Sequence, residues 1–433
     1  FNETFAGSLI RIFRTRMETI FKIMREQFIH KKKCRICDSE NLIEILDLGE
    51  MPPANSFLKK EDLNKPERKF PLVVYFCKNC GLLQLLDVVN QELLFGYYDY
   101  LTSASKPLAE HFIGMGNELV KNFIGTKDDL MVEIGGNDAV LLSAVKDKCR
   151  VLNIEPAKNV AELSKKKGVE TINEFFSKKL AEEIVKKYGN AKVVVANNVI
   201  AHIDDLKSVF EGVKTLIGED GTFVFEIHWV GNLISEGGFD QIYHEHLCYH
   251  SLTALNYLVN QMGLKIFDVE LIPIHGQSMR VFVGKNFKSS ERVREFLKKE
   301  KELGLDKMET FLEFAEKVES NKNKLKDLLL ELKKDGKRIV GYGAPAKGNT
   351  LLNYFEITPN LVDYIIDTTP LKQGLYTPGA EIPIYHPDKL KEEKPDYILL
   401  LAWNYADAIL EKEKELRNSG IKFIIPVPDI KIV

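Results

Sequence analysis

Two close pairs of cysteines constrain the fold of this chain more than any other feature. Cys34 and Cys37 form one CxxC pair, and Cys77 and Cys80 form a second pair further along. Each pair can place two thiolates around one ion, and two pairs complete the tetrahedral four-sulfur shell that Zn²⁺ prefers. Because such a shell leaves no open coordination position, we predict a structural zinc that folds a small module over residues 31–104.

The charge balance and the use of cysteine limit the partners of the chain. Among 433 residues, 60 Lys and Arg stand against 63 Asp and Glu, a net charge of −3, which provides no overall attraction to nucleic acid. No apolar run reaches the roughly 18 residues that a bilayer span needs. Cysteines that are paired for a metal favour a reducing compartment. We therefore expect a cytoplasmic protein with no nucleic-acid partner and no membrane span.

The first 30 residues have the pattern of a basic amphipathic helix, in which apolar residues recur near helical spacing among arginines. A surface-lying helix and a transit peptide are two interpretations. A third is an accessory or over-extended segment ahead of a start near Met17 or Met24. We take no function from this N-terminal extension, residues 1–30.

From residue 105 onwards, short apolar strands alternate with helical segments, which predicts βαβ units and a mainly parallel sheet. A stretch rich in Lys, Glu and Leu, residues 288–335, predicts one or two long linking helices. A second α/β pattern follows over residues 336–433. The predicted fold class is therefore α/β, with a small N-terminal zinc module, a central Rossmann-like domain over residues 105–287 and a C-terminal Rossmann-like domain. Strands are predicted at Leu42–Leu48, Phe70–Phe76, Leu130–Ile134, Arg150–Ile154, Lys192–Ala196, Gly221–Ile227, Lys265–Leu271, Met279–Gly284, Arg338–Tyr342, Val362–Ile366, Asp396–Leu401 and Lys422–Pro426, and C-terminal helices at Asn349–Tyr354 and Tyr405–Leu416.

A strand that ends in an acidic residue and a glycine-rich turn predicts a ligand site. Glu133 precedes Gly135 and Gly136, and Glu155 closes the next strand. Glycines allow close approach of the backbone to a ligand, and a carboxylate at the second strand accepts ribose hydroxyls. The dinucleotide fingerprint GxGxxG is absent, which favours S-adenosylmethionine (SAM) over NAD.

Polar residues that follow the strand at Lys192–Ala196 extend this site, because the carboxyl ends of strands in a doubly wound sheet face the ligand crevice. His202 belongs to this segment, although it could equally be a hydrogen-bonded histidine beneath a loop. The predicted SAM-binding residues are Glu133, Gly135, Gly136, Asn137, Asp138, Glu155, Asn197 and Asn198.

The segment from Asp240 to His250 is the densest cluster of polar groups, with three histidines, two carboxylates and two tyrosines. Several of these groups can move protons near neutral pH. A solvated polar loop is the alternative, and spacing alone does not identify a base. Further on, small residues and Lys347 follow a strand and open a helix, which favours phosphate binding over a plain structural turn.

Taken in order, these motifs resemble one known family. The matching segments are the two CxxC pairs, Tyr98–Ser105, Met131–Ala139, Ile154–Pro156, Ala196–His202, Tyr243–His246, His275–Arg280 and Gly341–Asn349. They are similar to the SAM-dependent sugar C-methyltransferases, which methylate carbon 3 of nucleotide-linked 4-keto-deoxysugars. The resemblance covers about residues 32–430. It implies a zinc-binding domain, a central SAM-binding methyltransferase domain and a C-terminal Rossmann-like domain that helps to bind the nucleotide-linked sugar.

The same resemblance implies roles for individual residues. His246 matches the general base, Tyr243 and Glu245 match its site partners, and Tyr100 and His202 match other catalytic-site positions. The residues expected to bind the substrate are Ser278, Arg280, Tyr342, Lys347 and Asn349. Two positions depart from the family pattern by replacing a common glycine. Ala139 is expected to tighten the SAM turn, and Gln277 bears on which sugar is accepted.

The implied chemistry agrees with these residue types. A carbon nucleophile requires loss of a proton next to a carbonyl, to which a positioned base contributes roughly 10²- to 10⁴-fold. The resulting enolate oxygen needs donors such as tyrosine hydroxyls, and in-line methyl transfer needs both reactants in register. Two alternatives stay open: methyl transfer to a non-sugar metabolite, and a non-catalytic protein that senses zinc or nucleotides. The sequence also leaves open the sugar, the nucleotide, the stereochemistry and the oligomeric state.

Overall fold

A computed structural model describes residues 27–95, 101–274 and 277–433. Almost all of the predicted N-terminal extension, and the expected site residue Tyr100, lie outside the described residues. Within them, the chain forms the predicted α/β architecture of a small zinc module and two larger sheets. Every helix in the described part of the chain is too short or too polar to cross a membrane.

An antiparallel sheet builds the zinc module. β2 pairs with β3, and β3 pairs with β4. Alternate residues along β3 are buried, as expected for a strand with one face on a core. The elements are β1 (Phe28–His30), β2 (Leu42–Met51), β3 (Phe70–Cys77), β4 (Leu83–Leu85), β5 (Asp87–Val89) and α1 (Gln91–Phe95).

The central domain is a seven-stranded sheet with the order β12-β13-β10-β9-β6-β7-β8. Most neighbours are parallel, as predicted, whereas β13 runs antiparallel to both β10 and β12. Its strands are β6 (Leu130–Ile134), β7 (Arg150–Ile154), β8 (Thr171–Ile172), β9 (Val193–Asn197), β10 (Thr222–His228), β12 (Lys265–Ile272) and β13 (Ser278–Gly284), and the same stretch of chain contains β11 (Cys248–Tyr249) outside this sheet. The helices are α2 (Lys106–Phe123), α3 (Val140–Val145), α4 (Lys158–Lys166), α5 (Lys178–Tyr188), α6 (Leu206–Ile217), α7 (Val230–Ser235) and α8 (Leu252–Gln261).

Local sequence explains these elements. The Val-rich β9 is buried on both faces, as is typical of a strand that is covered by helices on both sides. Helix α6 begins where the Asp205 side chain accepts a hydrogen bond from the Ser208 amide at 3.0 Å. Its apolar face packs into the main core together with Phe223 and Phe225 of β10.

Two helices link the large domains, as predicted: α9 (Glu291–Glu302) and α10 (Met308–Lys334). The C-terminal sheet has six strands in the order β16-β15-β14-β17-β18-β19, parallel until β19 turns back against β18. Its elements are β14 (Ile339–Tyr342), α11 (Ala346–Tyr354), β15 (Ile365–Ile366), β16 (Ile384–Tyr385), α12 (Lys389–Glu392), β17 (Tyr397–Leu400), α13 (Ala406–Lys412), α14 (Lys414–Asn418), β18 (Lys422–Ile425) and β19 (Lys431–Ile432).

The prediction of one helix over Tyr405–Leu416 was wrong, because that helix breaks at Glu413 between α13 and α14. Glu413 leaves the helical conformation, and its carboxylate accepts a hydrogen bond from the Tyr342 hydroxyl at 2.7 Å. Strand β11 was not predicted. It lies near the end of the polar cluster of the central domain, yet it pairs with β4 of the zinc module. The polar cluster therefore lies where these two domains meet.

Candidate active site and metal centre

Two tight turns bring the four predicted cysteines together. The Sγ atoms of Cys34 and Cys80 are 3.5 Å apart, as are those of Cys37 and Cys77. All four sulfur atoms lie within 4.8 Å of one another. Among the described residues, these four cysteines are the only members of the cluster. Four thiolates at this spacing fit a tetrahedral Zn²⁺ with a closed, structural shell.

The glycine turn after β6 has a backbone that few side chains tolerate. Gly135, Asn137 and Ala139 all have positive φ, of 64°, 52° and 55°. A Cβ at Gly135 would lie 2.5 Å from Cγ2 of Val199, and one at Gly136 would lie 2.4 Å from Oδ1 of Asn153. These contacts with the protein's own side chains require glycine at both positions.

The Glu155 carboxylate lies against this turn. Its Oε2 accepts a hydrogen bond from the Asn137 amide at 3.0 Å, and its Oε1 accepts one from the Ala157 amide at 2.8 Å. Burial raises the pKa of Glu155, and the two amides act in the opposite direction. A carboxylate has about four acceptor sites. The remaining ones are available to ribose hydroxyls.

Other predicted SAM-binding residues surround the turn. Burial, and then the nearby Glu155, raise the pKa of Glu133 to about 8. Asn197 and Asn198 lie at the carboxyl end of β9, where the Asn198 amide donates to the Glu226 carbonyl at 2.8 Å. Asp138 is engaged by the protein itself, because its Oδ2 lies 2.7 Å from Nζ of Lys167.

His246 has the geometry of a base. Its Nδ1 lies 2.8 Å from the Gln241 carbonyl, and because a carbonyl only accepts, Nδ1 carries the proton. The lone pair of Nε2 then faces the Tyr243 hydroxyl at 2.9 Å. The two rings lie 4.1 Å apart between centroids. This arrangement pairs a proton acceptor with a hydroxyl donor.

His202 and Glu245 border this pair. Nδ1 of His202 donates to the Glu245 carbonyl at 2.6 Å, and removal of the ring from water lowers the pKa of His202. The Glu245 carboxylate accepts a hydrogen bond from Nδ2 of Asn55 at 2.9 Å. Since Asn55 belongs to the predicted zinc module, that module contributes to the site directly.

The other two histidines of the cluster are turned away from His246. His244 contacts the carbonyl of Phe70 in the zinc module at 3.1 Å, and burial lowers its pKa to about 4. Burial likewise lowers the pKa of His250 to about 3. Sequence reasoning missed His228, whose ring centroid lies 5.9 Å from that of His246. His228 could have been predicted from its position at the carboxyl end of β10, because Asn197 and Asn198 were predicted from the same position on β9.

The predicted substrate-binding residues do not form one open surface. Arg280 is surrounded by carboxylates, at 2.8 Å from Glu226 and 3.0 Å from Glu118. The remaining four also have partners within the protein: the Ser278 hydroxyl donates to the Ile274 carbonyl at 3.1 Å, Tyr342 donates to Glu413 at 2.7 Å, Nδ2 of Asn349 donates to the Ala54 carbonyl at 2.6 Å, and Nζ of Lys347 lies 3.8 Å from Asp240.

Comparison with known proteins places these features in a family. Three family models match in chain order: a zinc binding domain over residues 34–95, a methyltransferase domain over residues 119–269 and a C-methyltransferase C-terminal domain over residues 273–428. The C-methyltransferase NovU of Streptomyces niveus is 35% identical over 405 residues, which are 93% of this chain and 96% of that relative.

Solved structures resemble part of the chain. The magnesium protoporphyrin IX methyltransferase of Synechocystis with bound SAM is 11% identical, with a TM-score of 0.30, over 40% of this chain and 78% of that one. The precorrin-6y C5,15-methyltransferase of Geobacter metallireducens is 12% identical, with a TM-score of 0.30, over 44% of this chain and 94% of that one.

Proposed function

This chain belongs to the SAM-dependent C-methyltransferases that carry an N-terminal zinc-binding domain, and we propose that it methylates carbon 3 of a nucleotide-linked 4-keto-deoxysugar. The observation that carries the proposal is the His246–Tyr243 pair. Methyl transfer to carbon needs a base beside the carbon and a donor for the developing oxyanion, and the two side chains can supply both once their mutual hydrogen bond is exchanged for contacts with the substrate.

Each residue of the site has a role in this proposal. His246 removes the proton next to the ketone through Nε2, while the Gln241 carbonyl keeps the proton on Nδ1. The Tyr243 hydroxyl donates to the enolate oxygen. Glu245 and His202 hold the segment in place through the hydrogen bond between the His202 ring and the Glu245 carbonyl. SAM, when bound, supplies the methyl group, and Tyr100 remains a proposed site residue.

The residues proposed to hold SAM surround the glycine turn. Glu155 accepts the ribose hydroxyls, and Gly135 and Gly136 lie along the methionine end of the cofactor. The glycine turn and the preset Glu155 carboxylate support this assignment.

The C-terminal domain is proposed to bind the nucleotide diphosphate. Two lysines lie near the Gly343–Pro345 turn and the start of α11, and in this structure the ammonium of one of them, Lys347, contacts Asp240 and the Trp403 ring. Lys347 lies in the first turn of α11, and Nζ of Lys372 donates to the Ala344 carbonyl at 2.7 Å. Burial lowers the pKa of both lysines, that of Lys347 to about 8. Cations removed from water near a helix N-terminus favour an anionic ligand. Ser278, Arg280, Tyr342 and Asn349 complete the proposed substrate set.

The proposed domain organisation follows from these roles. Residues 31–104 form the zinc-binding module, 105–287 the methyltransferase domain, 288–335 the linker and 336–433 the domain that binds the nucleotide-linked sugar. A cytoplasmic location would keep the four thiols of the module reduced for zinc.

The direct experiment supplies methyl-¹³C SAM together with a panel of nucleotide-linked 4-keto-deoxysugars. We expect one S-adenosylhomocysteine for each methylated sugar, and a ¹³C methyl bonded to carbon 3 by NMR. The matched control replaces the 4-keto group by a 4-hydroxyl, which leaves the proton at carbon 3 non-acidic, so this sugar should not react. Methylation of an oxygen or a nitrogen, or turnover only with non-sugar metabolites, would contradict the proposal.

A further inference from the structure

Asp240 is a carboxylate with no exposure to solvent at the boundary between the central and C-terminal domains. It lies in the 3-10 turn Phe239–Gln241, which begins the segment that carries Tyr243 and His246. Its partners come from the C-terminal domain. Nε1 of Trp403 donates to Asp240 Oδ2 at 2.6 Å, and Nζ of Lys347 lies 3.8 Å from the same oxygen.

The Lys347 ammonium is also held by the Trp403 ring, since it lies 3.8 Å from the ring centroid. The Lys347 side chain is only 13% exposed. Removing two opposite charges from water costs several kcal/mol per ion, so an ion pair of this kind is weak evidence for stability. Its place at a domain boundary, next to the segment that carries His246, suggests a role other than stability.

Apolar packing already joins the turn to the C-terminal domain. The ring of Phe239 stacks on that of Phe355 with centroids 4.9 Å apart and planes 16° from parallel. Such contacts hold the turn against the domain. The hydrogen bond from the Trp403 indole to Asp240 adds a directional constraint on the turn, and the Lys347 ammonium adds a charge contact to the same oxygen.

The orientation of this turn determines the state of His246. The residue after Asp240 is Gln241, whose carbonyl accepts the hydrogen bond from Nδ1 of His246 at 2.8 Å. A rotation of the turn would move this acceptor and release the ring that the carbonyl orients. We infer that Asp240, clamped by Trp403 and Lys347, is a positioning residue that keeps the His246 ring oriented and its proton on Nδ1, so that Nε2 stays the basic nitrogen.

This inference rests on the proposed function, and it gives the C-terminal domain a part in catalysis besides binding. A misplacement of about 1 Å at reacting groups can cost about 10²-fold in rate. The consequence is that variants of the clamp lower kcat while they leave the KM for SAM nearly unchanged. A purely structural role would lower the melting temperature and leave kcat per folded molecule intact.

The test compares Asp240→Asn and Trp403→Phe with a matched control, Glu300→Gln. Glu300 is also a buried carboxylate that accepts an indole hydrogen bond, from Nε1 of Trp229 at 2.8 Å, but it caps helix α8 through the amides of Leu252 and Thr253. We expect about 10-fold or greater loss of kcat in both clamp variants, a KM for SAM within about 2-fold of the wild-type value, and a double variant no worse than the poorer single one. Glu300→Gln should keep its kcat.

A second measurement needs no substrate. In ¹⁵N spectra of histidine-labelled enzyme, His246 should be protonated on Nδ1 in the wild type and in Glu300→Gln, and should populate both tautomers in Trp403→Phe and Asp240→Asn. Folded clamp variants with wild-type kcat and a wild-type His246 spectrum would overturn the inference. If the wild type methylates no sugar, the proposed function fails, whereas the tautomer measurement still decides whether Asp240 positions His246.

Discussion

The central and C-terminal sheets contain the same strand–turn unit, and comparing them shows how one backbone arrangement can carry side chains of different charge. In both, a glycine with positive φ follows the first strand. The Gly135 amide donates to the Ile154 carbonyl at 2.7 Å, and the Gly343 amide donates to the Ile366 carbonyl at 2.8 Å. In both, an acidic residue after the second strand accepts a backbone amide of the turn: Glu155 from Asn137 at 3.0 Å, and Asp367 from Ala344 at 2.7 Å.

The two units differ in the charge that they bring to the turn. The central unit buries a second carboxylate, Glu133, two residues before its glycine. The C-terminal unit has Gly341 at the corresponding place, and Lys347 and Lys372 lie near its turn. SAM carries a net positive charge and a nucleotide diphosphate a negative one. Under the proposed function, the side chains and not the shared backbone would assign each ligand to its half.

The largest effect should come from the zinc module, which contacts both halves through the bonds of Asn55 to Glu245 and of Asn349 to the Ala54 carbonyl. Cys77→Ser should lose the zinc and, with it, the fold of the module, because structural zinc supplies folding energy. Both ligands should then bind poorly. Metal analysis and circular dichroism test this, with Cys149→Ala as the control that keeps one zinc. A folded Cys77→Ser protein with one zinc would contradict the assignment.

The next largest effect should distinguish the ligand that binds to the central domain from the ligand that binds to the C-terminal domain. Glu155→Ala should weaken SAM binding by about 1.5 to 3 kcal/mol, the range for lost hydrogen bonds to a charged group. Asp367→Ala, at the equivalent place in the second half, should leave SAM binding unchanged and weaken binding of the nucleotide-linked sugar. Calorimetry with each ligand measures both. Equal loss of SAM affinity in the two variants would show that the halves do not divide the ligands.

A smaller effect tests the charge of the central unit. Since burial and Glu155 raise the pKa of Glu133 to about 8, the free enzyme holds this carboxyl largely protonated at pH 7. A cationic ligand favours the ionised form, so SAM affinity should rise by roughly 10-fold between pH 7 and pH 9. Glu133→Gln should flatten this profile, and S-adenosylhomocysteine, which lacks the sulfonium charge, should show a shallower one. An equally steep profile in Glu133→Gln would exclude Glu133 as its source.

The raised pKa of Glu133 predicts the opposite pH dependence for the stability of the ligand-free enzyme, which should fall as the pH rises. The raised pKa of Glu133 stabilises the ligand-free fold fully below the ordinary value of 4.5, and this contribution is lost as the pH rises through about 8. Unfolding of the free enzyme should therefore become easier over this window, and less so in Glu133→Gln.

The smallest effect concerns backbone strain. Ala139 has a φ of 55°, where an L side chain costs roughly 1 to 2 kcal/mol, whereas Gly343 occupies a φ of 82° without a side chain. Ala139→Gly should stabilise the protein by at most about 1 kcal/mol, because the flexibility of glycine in the unfolded chain offsets part of the relief. Gly343→Ala should destabilise it. Urea unfolding measures the free energy of unfolding of both variants. A destabilised Ala139→Gly protein would contradict the proposal that Ala139 is strained.

Much of the fold could be predicted from the sequence because its signals are local. The CxxC pairs, the buried strands around Glu133 and Val193, and the glycine turns each lie within a few residues of the chain. The pairing of Cys248 with Gln84 in the sheet of the zinc module could not be predicted. A strand of two residues is too short to show a sequence pattern, and its partner strand is far away along the chain.

The site was partly predictable for the same reason. The order of residues brought Tyr243, Glu245 and His246 into one segment, but it could not show that His244 points to Phe70 or that His246 is anchored by Gln241. The substrate set was harder still. Arg280 meets Glu226 only because β13 lies beside β10, and that register is a property of the sheet.

The central claim is that His246 removes the proton next to the ketone, and one measurement tests it most directly. The enzyme is placed in deuterated water with a nucleotide-linked 4-keto-deoxysugar and S-adenosylhomocysteine in place of SAM. The wild type should introduce deuterium at carbon 3, provided that the base exchanges its proton with solvent. His246→Gln should bind both ligands, fail to exchange, and turn over roughly 10²-fold or more slowly with SAM. Exchange in His246→Gln as fast as in the wild type would contradict the claim and move the role of base to Tyr243 or His202.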